Sequence, residues 1–236
     1  MTHENSMTKA RTWPKKILRI VWIGCISLAA LFFVVRLTWR FSGSNQWEFI
    51  GERNGVKAYT LKEPGSDVKQ VKGVMRLHST LDQLVSLMQD PDICDDLGCT
   101  ESRTLEWVDE RLQFDYFQLP LPFPFKTREF VVRTQYYRNP HNNEVILEVS
   151  AAPDKIPPNP CCFRVTEMNN TMQFTPLGNG EVEMEYIVKQ NEGGFIPDLY
   201  LNLMRPSVMF YAMPRIREFV TRQKYQNAKF SFLAEK

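Results

Sequence analysis

Histidine is scarce in this 236-residue chain, which has only His3, His78 and His141. His3 lies at the extreme N-terminus, and His141 falls in a turn-forming Asn-Pro-His-Asn-Asn run. His78 ends a candidate strand, so no two histidines make a metal-ligand set or an acid–base couple. The HExxH and GxSxG motifs are missing, as is a glycine loop of the kind that cradles phosphate. Asp90, Asp92, Asp95 and Asp96 crowd one segment in the manner of a solvated acidic loop, not a working carboxylate pair. These absences predict a protein that is not an enzyme and that uses no metal and no cofactor.

Basic charge is thin wherever a nucleic acid would need it. Lys9, Arg11, Lys15, Lys16, Arg19, Arg36 and Arg40 all fall in the first 40 residues, leaving 22 basic against 26 acidic groups in the remainder. The formal net charge of +2 therefore averages a basic head and a slightly acidic body, and no nucleic acid is expected as a partner. Internal repeats and low-complexity segments are lacking too.

Long uncharged runs are limited to one, Ile20–Val35, of 16 residues. A bilayer span needs about 20 residues. Counting Ile17, Leu18, Leu37 and Trp39, and letting Arg19 and Arg36 snorkel, makes residues 17–39 long enough. The basic residues before it (1–16) predict a cytoplasmic N-terminus and a domain on the non-cytoplasmic side, periplasmic or extracellular. A cleaved signal peptide with Ser42-Gly43-Ser44 at its cleavage site is the competing reading, which would leave the domain secreted to that compartment. Arg36, Trp39 and Arg40 argue against it. Residues 40–45 form a short polar linker.

Beyond that linker, alternation of apolar and polar residues predicts a mainly antiparallel sheet. Strands are expected at 47–53 and 56–61 around an Asn54-Gly55 turn, then at 70–77. Ser79-Thr80 caps a helix carrying Leu81, Leu84, Val85 and Met88, which Pro91 ends. A meander follows, with Leu105 and Trp107 on one face and Phe114 and Tyr116 continuing inward. Between two strands lies QLPLPFPFKTREF, in which Leu119, Leu121, Phe123 and Phe125 alternate with prolines that exclude a central strand. Strands resume at 128–137, 145–149, 163–168, 172–175 and 182–188. After Gly193-Gly194, an apolar helical stripe including Leu199, Leu203 and Met213 predicts a long C-terminal helix, kinked or split at Pro206 and Pro214. Cys94, Cys99, Cys161 and Cys162 form an even set. It allows a Cys94–Cys99 bridge, a cross-link to 161/162, or unpaired buried thiols, while adjacent cysteines fit a zinc knuckle poorly.

Several of these features occur in a recognisable order. Trp47 precedes a Gly55-Val56 hairpin with Tyr59, and the proline loop runs into Arg128-Glu129-Phe130-Val131. Later comes Gly193-Gly194-Phe195-Ile196-Pro197 with Leu201-Asn202. Together they resemble the START domain, the steroidogenic acute regulatory protein-related lipid transfer domain, over residues 46–222. The resemblance implies an α+β helix-grip fold, a curved antiparallel sheet wrapped around the C-terminal helix, in addition to the N-terminal transmembrane helix. It implies a lipid-binding domain at 46–225, a C-terminal tail at 226–236, and one lipid (a sterol, phospholipid or similar) in an apolar tunnel. The family's N-terminal helix has little sequence to occupy here.

Enclosing a chain of around 16 methylenes saves on the order of 13 kcal/mol of exposure to water. The tunnel lining is expected from Trp107, Phe114, Tyr116, Met184, Tyr186, Leu199, Leu203 and Met213. Arg128 or Arg133 is expected to meet the lipid's polar end, and alternation leaves open which of the two points inward. Leu119, Leu121, Phe123 and Phe125 are expected to form a gate that touches the bilayer. The rival reading is a membrane-anchored interaction or sensor domain whose core is filled and whose loop docks a protein.

Overall fold

The computed structural model describes residues 15–234. Most of the basic head, residues 1–14, lies outside them. Helix α1 runs over Lys15–Phe41, 27 residues with none buried. At 1.5 Å per residue it spans about 40 Å, enough to cross a bilayer. Among the described residues it is the one helix long and apolar enough to do so.

The domain begins with β1 (Glu48–Arg53) and β2 (Val56–Leu61), joined by Asn54 and Gly55 with φ of 52° and 69°. Both central residues of a tight hairpin turn need positive φ, which explains the Asn-Gly pair. Strand β3 (Gln70–His78) leads into α2 (Leu81–Met88), and a capping box fixes the helix start: Thr80 accepts from the Gln83 N–H while the Gln83 side chain accepts from the Thr80 N–H. The acidic segment is partly the short helix α3 (Asp92–Asp96). Next come β4 (Thr100–Asp109), β5 (Leu112–Leu119), β6 (Arg128–Arg138), β7 (Val145–Ala151), β8 (Phe163–Arg164), β9 (Glu167–Gly178), β10 (Glu181–Val188) and β11 (Gln190–Asn191). The sheet order is β1-β2-β3-β10-β9-β7-β6-β5-β4, antiparallel along this path, with the short strands β8 (parallel to β6) and β11 (antiparallel to β9) lying off it.

Helix α4 (Asp198–Phe219) lies on β2 and β3. A Cβ built on Gly73 of β3 would sit 2.2 Å from Met213 Sδ, so the helix approaches this strand as closely as glycine allows. The helix is a single element through both Pro206 and Pro214, so of the two expected forms it is not the split one. Leu201, Met209, Met213, Ile216 and Phe219 bury one of its faces, and that packing holds the helix through the missing backbone donors. Arg217 adds three hydrogen bonds, to the Asn54, Gly55 and Arg76 carbonyls, tying the helix end to the first hairpin.

Residues 226–234, expected as part of a tail, pack on the domain. The Phe230 N–H donates to Asp82, Ser231 binds Glu110, and the Phe232 ring lies 6.4 Å from that of Tyr136. Two disulfides are local, Cys94–Cys99 and Cys161–Cys162.

Candidate functional site

The Gly73–Met213 contact marks the concave face of the sheet, and register carries that face across the strands. Gly73 pairs with Tyr186, Tyr186 with Met172, Met172 with Leu147 and Leu147 with Tyr136. Two residues back along β6, Thr134 pairs with Gln113, and Val132 pairs with Asp115, which in turn faces Thr104. The inner wall at this end is therefore polar: Thr104, Gln113, Asp115, Thr134 and Tyr136.

The Asp115 carboxylate accepts from Thr104 Oγ1 at 2.9 Å, Gln113 Nε2 at 2.8 Å and Thr134 Oγ1 at 3.4 Å. Burial nevertheless dominates and raises its pKa above the usual aspartate value, against the pull of those three bonds. Tyr136 beside it is held well above an ordinary phenol, by burial first and by the Asp115 charge second. Gln113 Oε1 and Tyr136 Oη are buried with no hydrogen-bond partner among the described residues. Buried polar groups are rarely left so, and each unmet group costs about 1–3 kcal/mol. The wall thus presents one acceptor and one hydroxyl awaiting a partner. Sequence reasoning missed this cluster; a charged Asp115 inside a strand of large apolar residues was the available signal.

Around the cluster the concave face keeps accessible apolar surface. Phe117 and Leu119 of β5, Val149 of β7 and Met168 of β9 are only partly buried and pack on Phe130, Val132 and Val165. Tyr186 is also only half-buried, yet burial drives its phenol up to about 12 against a bond from Asn170.

Arg128 is 2% exposed and starts β6 on this same face, but it does not reach toward the wall's polar cluster. Its guanidinium donates to the Lys126 carbonyl at 2.6 Å, the Glu192 carbonyl at 2.9 Å and the Gly193 carbonyl at 2.8 Å. The Phe163 ring lies 5.0 Å from the Arg128 guanidinium and close against Gly193, where an added Cβ would meet it at 2.5 Å. Arg128 therefore clasps the end of the proline loop to the segment leading into α4. Phe125 of that loop lies 5.6 Å from Tyr200 of α4, a second contact between the two.

The other expected site residues are spread over both faces of the sheet, with Met184, Met213 and Trp107 on the concave side. Arg133, Phe114 and Tyr116 lie on the convex face, because the inward residues of β5 and β6 are the intervening ones. Near residues 129–133 of β6 that face is covered by the 152–165 segment. Lys155 lies over Phe114, and Arg164 pairs with buried Glu129 at 2.9 Å while also binding the Ile156 and Pro157 carbonyls. Burial alone would raise the Glu129 pKa, but Arg164 and the Asn159 N–H outweigh it and hold it down. Trp107 is exposed on the edge strand opposite Gln113. Met184 and Met213 are buried in the main core with α2 and α4. Leu199 and Leu203 face outward on α4, 71% and 66% exposed, because this helix is apolar on both sides. Of the four loop residues, Leu119 is a strand residue packed inside, Leu121 and Phe125 are partly buried, and Phe123 is 97% exposed.

Two surface clefts flank the sheet, and neither is lined by Thr104, Gln113, Asp115, Thr134 or Tyr136. One, of about 870 Å³, is lined by both charge signs, including Arg36 and Arg40 of α1, Asp67 and Lys69 before β3, and Asp198 and Arg205 of α4. Another of similar volume lies by Arg111, Arg138 and Phe232.

Comparison with known proteins places this architecture. No family model matches the chain. An uncharacterized protein of Pseudomonas aeruginosa is 26% identical over 163 residues, 67% of this chain and 79% of that relative. Among solved structures, the STAR-related lipid transfer protein of Xanthomonas axonopodis superimposes with a TM-score of 0.69 at 21% identity, covering 75% of this chain and 99% of that fragment. Human StAR-related lipid transfer protein 5 gives a TM-score of 0.61 at 16% identity, covering 83% and 95%. The lipid transfer and protein localization domain of human StarD13 gives 0.65 at 14% identity, covering 75% and 90%. The chain has the helix-grip fold of the START domain.

Proposed function

We propose that this protein is a membrane-anchored lipid carrier that holds one lipid against the concave face of its sheet, beneath α4. The observation that carries this reading is the inner wall: partly buried apolar side chains lie along the same face as two buried polar atoms that lack partners. A lipid laid along Phe117, Leu119, Val149 and Met168 would leave water, and its polar end would meet Gln113 Oε1 and Tyr136 Oη. A hydroxyl suits both, donating to the first and accepting from the second. A phosphate suits neither, because the Asp115 carboxylate stands beside them and repels a second anion. The fold neighbours named for lipid transfer support the same reading.

The gate in this proposal is the proline loop with the first turns of α4, clasped by Arg128 and opened at a membrane. Helix α1 spans that membrane with its N-terminus cytoplasmic, and the two disulfides fit a domain on the oxidising side. The test is uptake of a fluorescent sterol from phosphatidylcholine vesicles by the purified full chain. Saturable uptake near one lipid per protein is expected, and a failure to take up either the sterol or a fluorescent phospholipid would overturn the proposal. Phe123→Asp places a charge at the loop tip and is expected to slow uptake roughly tenfold without changing the amount bound at equilibrium. A stopped-flow trace checks this, and an unchanged rate would remove the loop from the gate.

A further inference from the structure

The connection between α1 and the domain is built, not loose. The last carbonyls of a helix have no partner within it and normally take water. Here the Arg40 carbonyl accepts from the Gly65 N–H at 2.7 Å and from Lys62 Nζ at 3.2 Å, and Lys62 Nζ also reaches the Ser42 carbonyl at 3.1 Å. Lys62 is buried and lies over the Trp39 ring at 5.2 Å. Gly43 passes so near that a Cβ on it would lie 2.4 Å from the Lys62 carbonyl oxygen. The segment expected as a short polar linker is thus seated on the loop between β2 and β3.

That same loop holds α4. The Asp67 carbonyl accepts from Trp39 Nε1 at 3.1 Å and from Asn202 Nδ2 at 3.2 Å, so anchor and lid helix share one acceptor. Asn202 Oδ1 accepts from the Lys69 N–H at 2.7 Å, and the Asp67 carboxylate lies 3.9 Å from both Arg36 and Arg40. The outward side of α4 next to this junction carries Leu199, Leu203 and Met204, preceded by Phe195 at 95% exposure. Four exposed apolar side chains at the point where a 27-residue apolar helix leaves the domain have one fitting cover, a bilayer.

We propose that the β2–β3 loop is a coupling element that fixes the anchor's last turn to α4 and lays the apolar side of α4 on the membrane that α1 spans. Resting on the lipid-carrier reading, this makes exchange a reaction with the anchor's own bilayer: the lid faces it continuously, and a free tether would let the domain tumble away. Asp67, Gly43 and Asn202 are positioning residues in this scheme and touch no lipid.

The experiment uses the full chain in phosphatidylcholine vesicles carrying doxyl-labelled phosphatidylcholine. A fluorophore is attached at Leu203→Cys in a Cys25→Ser background. Strong quenching is expected with the native loop. Asp67→Arg, which repels Arg36 and Arg40, and Gly43→Val, which clashes with Lys62, are each expected to cut quenching by at least half. Both should also slow sterol exchange with the host vesicle roughly tenfold, as a lost orientation lowers the effective concentration. Asp67→Glu should retain both properties, and sterol bound in detergent should be equal in all forms. A probe at Leu203→Cys that is unquenched with the native loop overturns the proposal, whatever the variants do. So does quenching that persists in both variants. Failure of every form, native loop included, to take up sterol or phospholipid counts against the lipid-carrier reading instead, and quenching still decides the coupling.

Discussion

Arg128→Ala is expected to destabilise the protein by about 3 kcal/mol and to release bound lipid faster. The side chain is buried, and its removal strands the Lys126, Glu192 and Gly193 carbonyls that it now satisfies. Hydrogen bonds from a charged donor contribute about 1.5–3 kcal/mol each, part of which water recovers once the mouth loosens. For a chain of this size, each 1 kcal/mol moves the melting midpoint by about 2–4 °C, so a fall of roughly 6–12 °C is expected. Arg128→Lys should recover little, because one ammonium cannot reproduce the planar fork that spans three fixed carbonyls. Thermal melts in detergent check the first effect. A midpoint unmoved by either substitution would mean that Arg128 does not clasp the loop to the lid.

Asp115 separates stability from binding. Its folded-state pKa is raised, chiefly by burial, so the folded protein holds this proton more tightly than the unfolded chain does. Stability should therefore fall as pH rises from the unfolded value near 3.8 through the higher folded one. Asp115→Asn removes that dependence and is expected to be more stable than the native protein at neutral pH. Asp115→Ala, by contrast, frees the Gln113 amide and the Thr104 hydroxyl and disorders the polar wall. It is expected to weaken hydroxyl-lipid retention between about tenfold and a hundredfold, the equivalent of one hydrogen bond to a charged group. Urea melts across pH check the first result, and lipid dissociation rates check the second. A stability of Asp115→Asn that tracks the native protein at every pH would show that the carboxyl does not titrate against folding.

The fold was legible where one side of an element is wet. The Asn54-Gly55 hairpin, the Thr80 cap and the alternation of β10 (Val182, Met184, Tyr186 against Glu181, Glu183, Glu185) all gave the right elements. Legibility failed where both sides are dry. Residues 128–132 of β6 are all buried, Arg128 and Glu129 included, since 152–165 covers the convex face beside them, so hydrophobicity carries no parity there. Phe114 and Tyr116 looked like the inward pair of β5 for the same reason. Three register shifts between β4 and β5 further uncouple sequence spacing from facing. Helix α4 is the third case: Leu199 and Leu203 follow the same apolar stripe as Met213, yet point outward. The role of Arg128 was not readable, because two of its three carbonyl partners lie 64 and 65 residues away.

The central claim is that the concave face holds a lipid by its polar wall. Native mass spectrometry of the full chain, released from detergent after gentle purification, tests it most directly. The account predicts one bound lipid per chain, uncharged at its polar end, that is lost from Asp115→Ala and kept by Phe123→Asp. A native protein that flies bare, or one whose bound phospholipid is retained equally by Asp115→Ala, would contradict it.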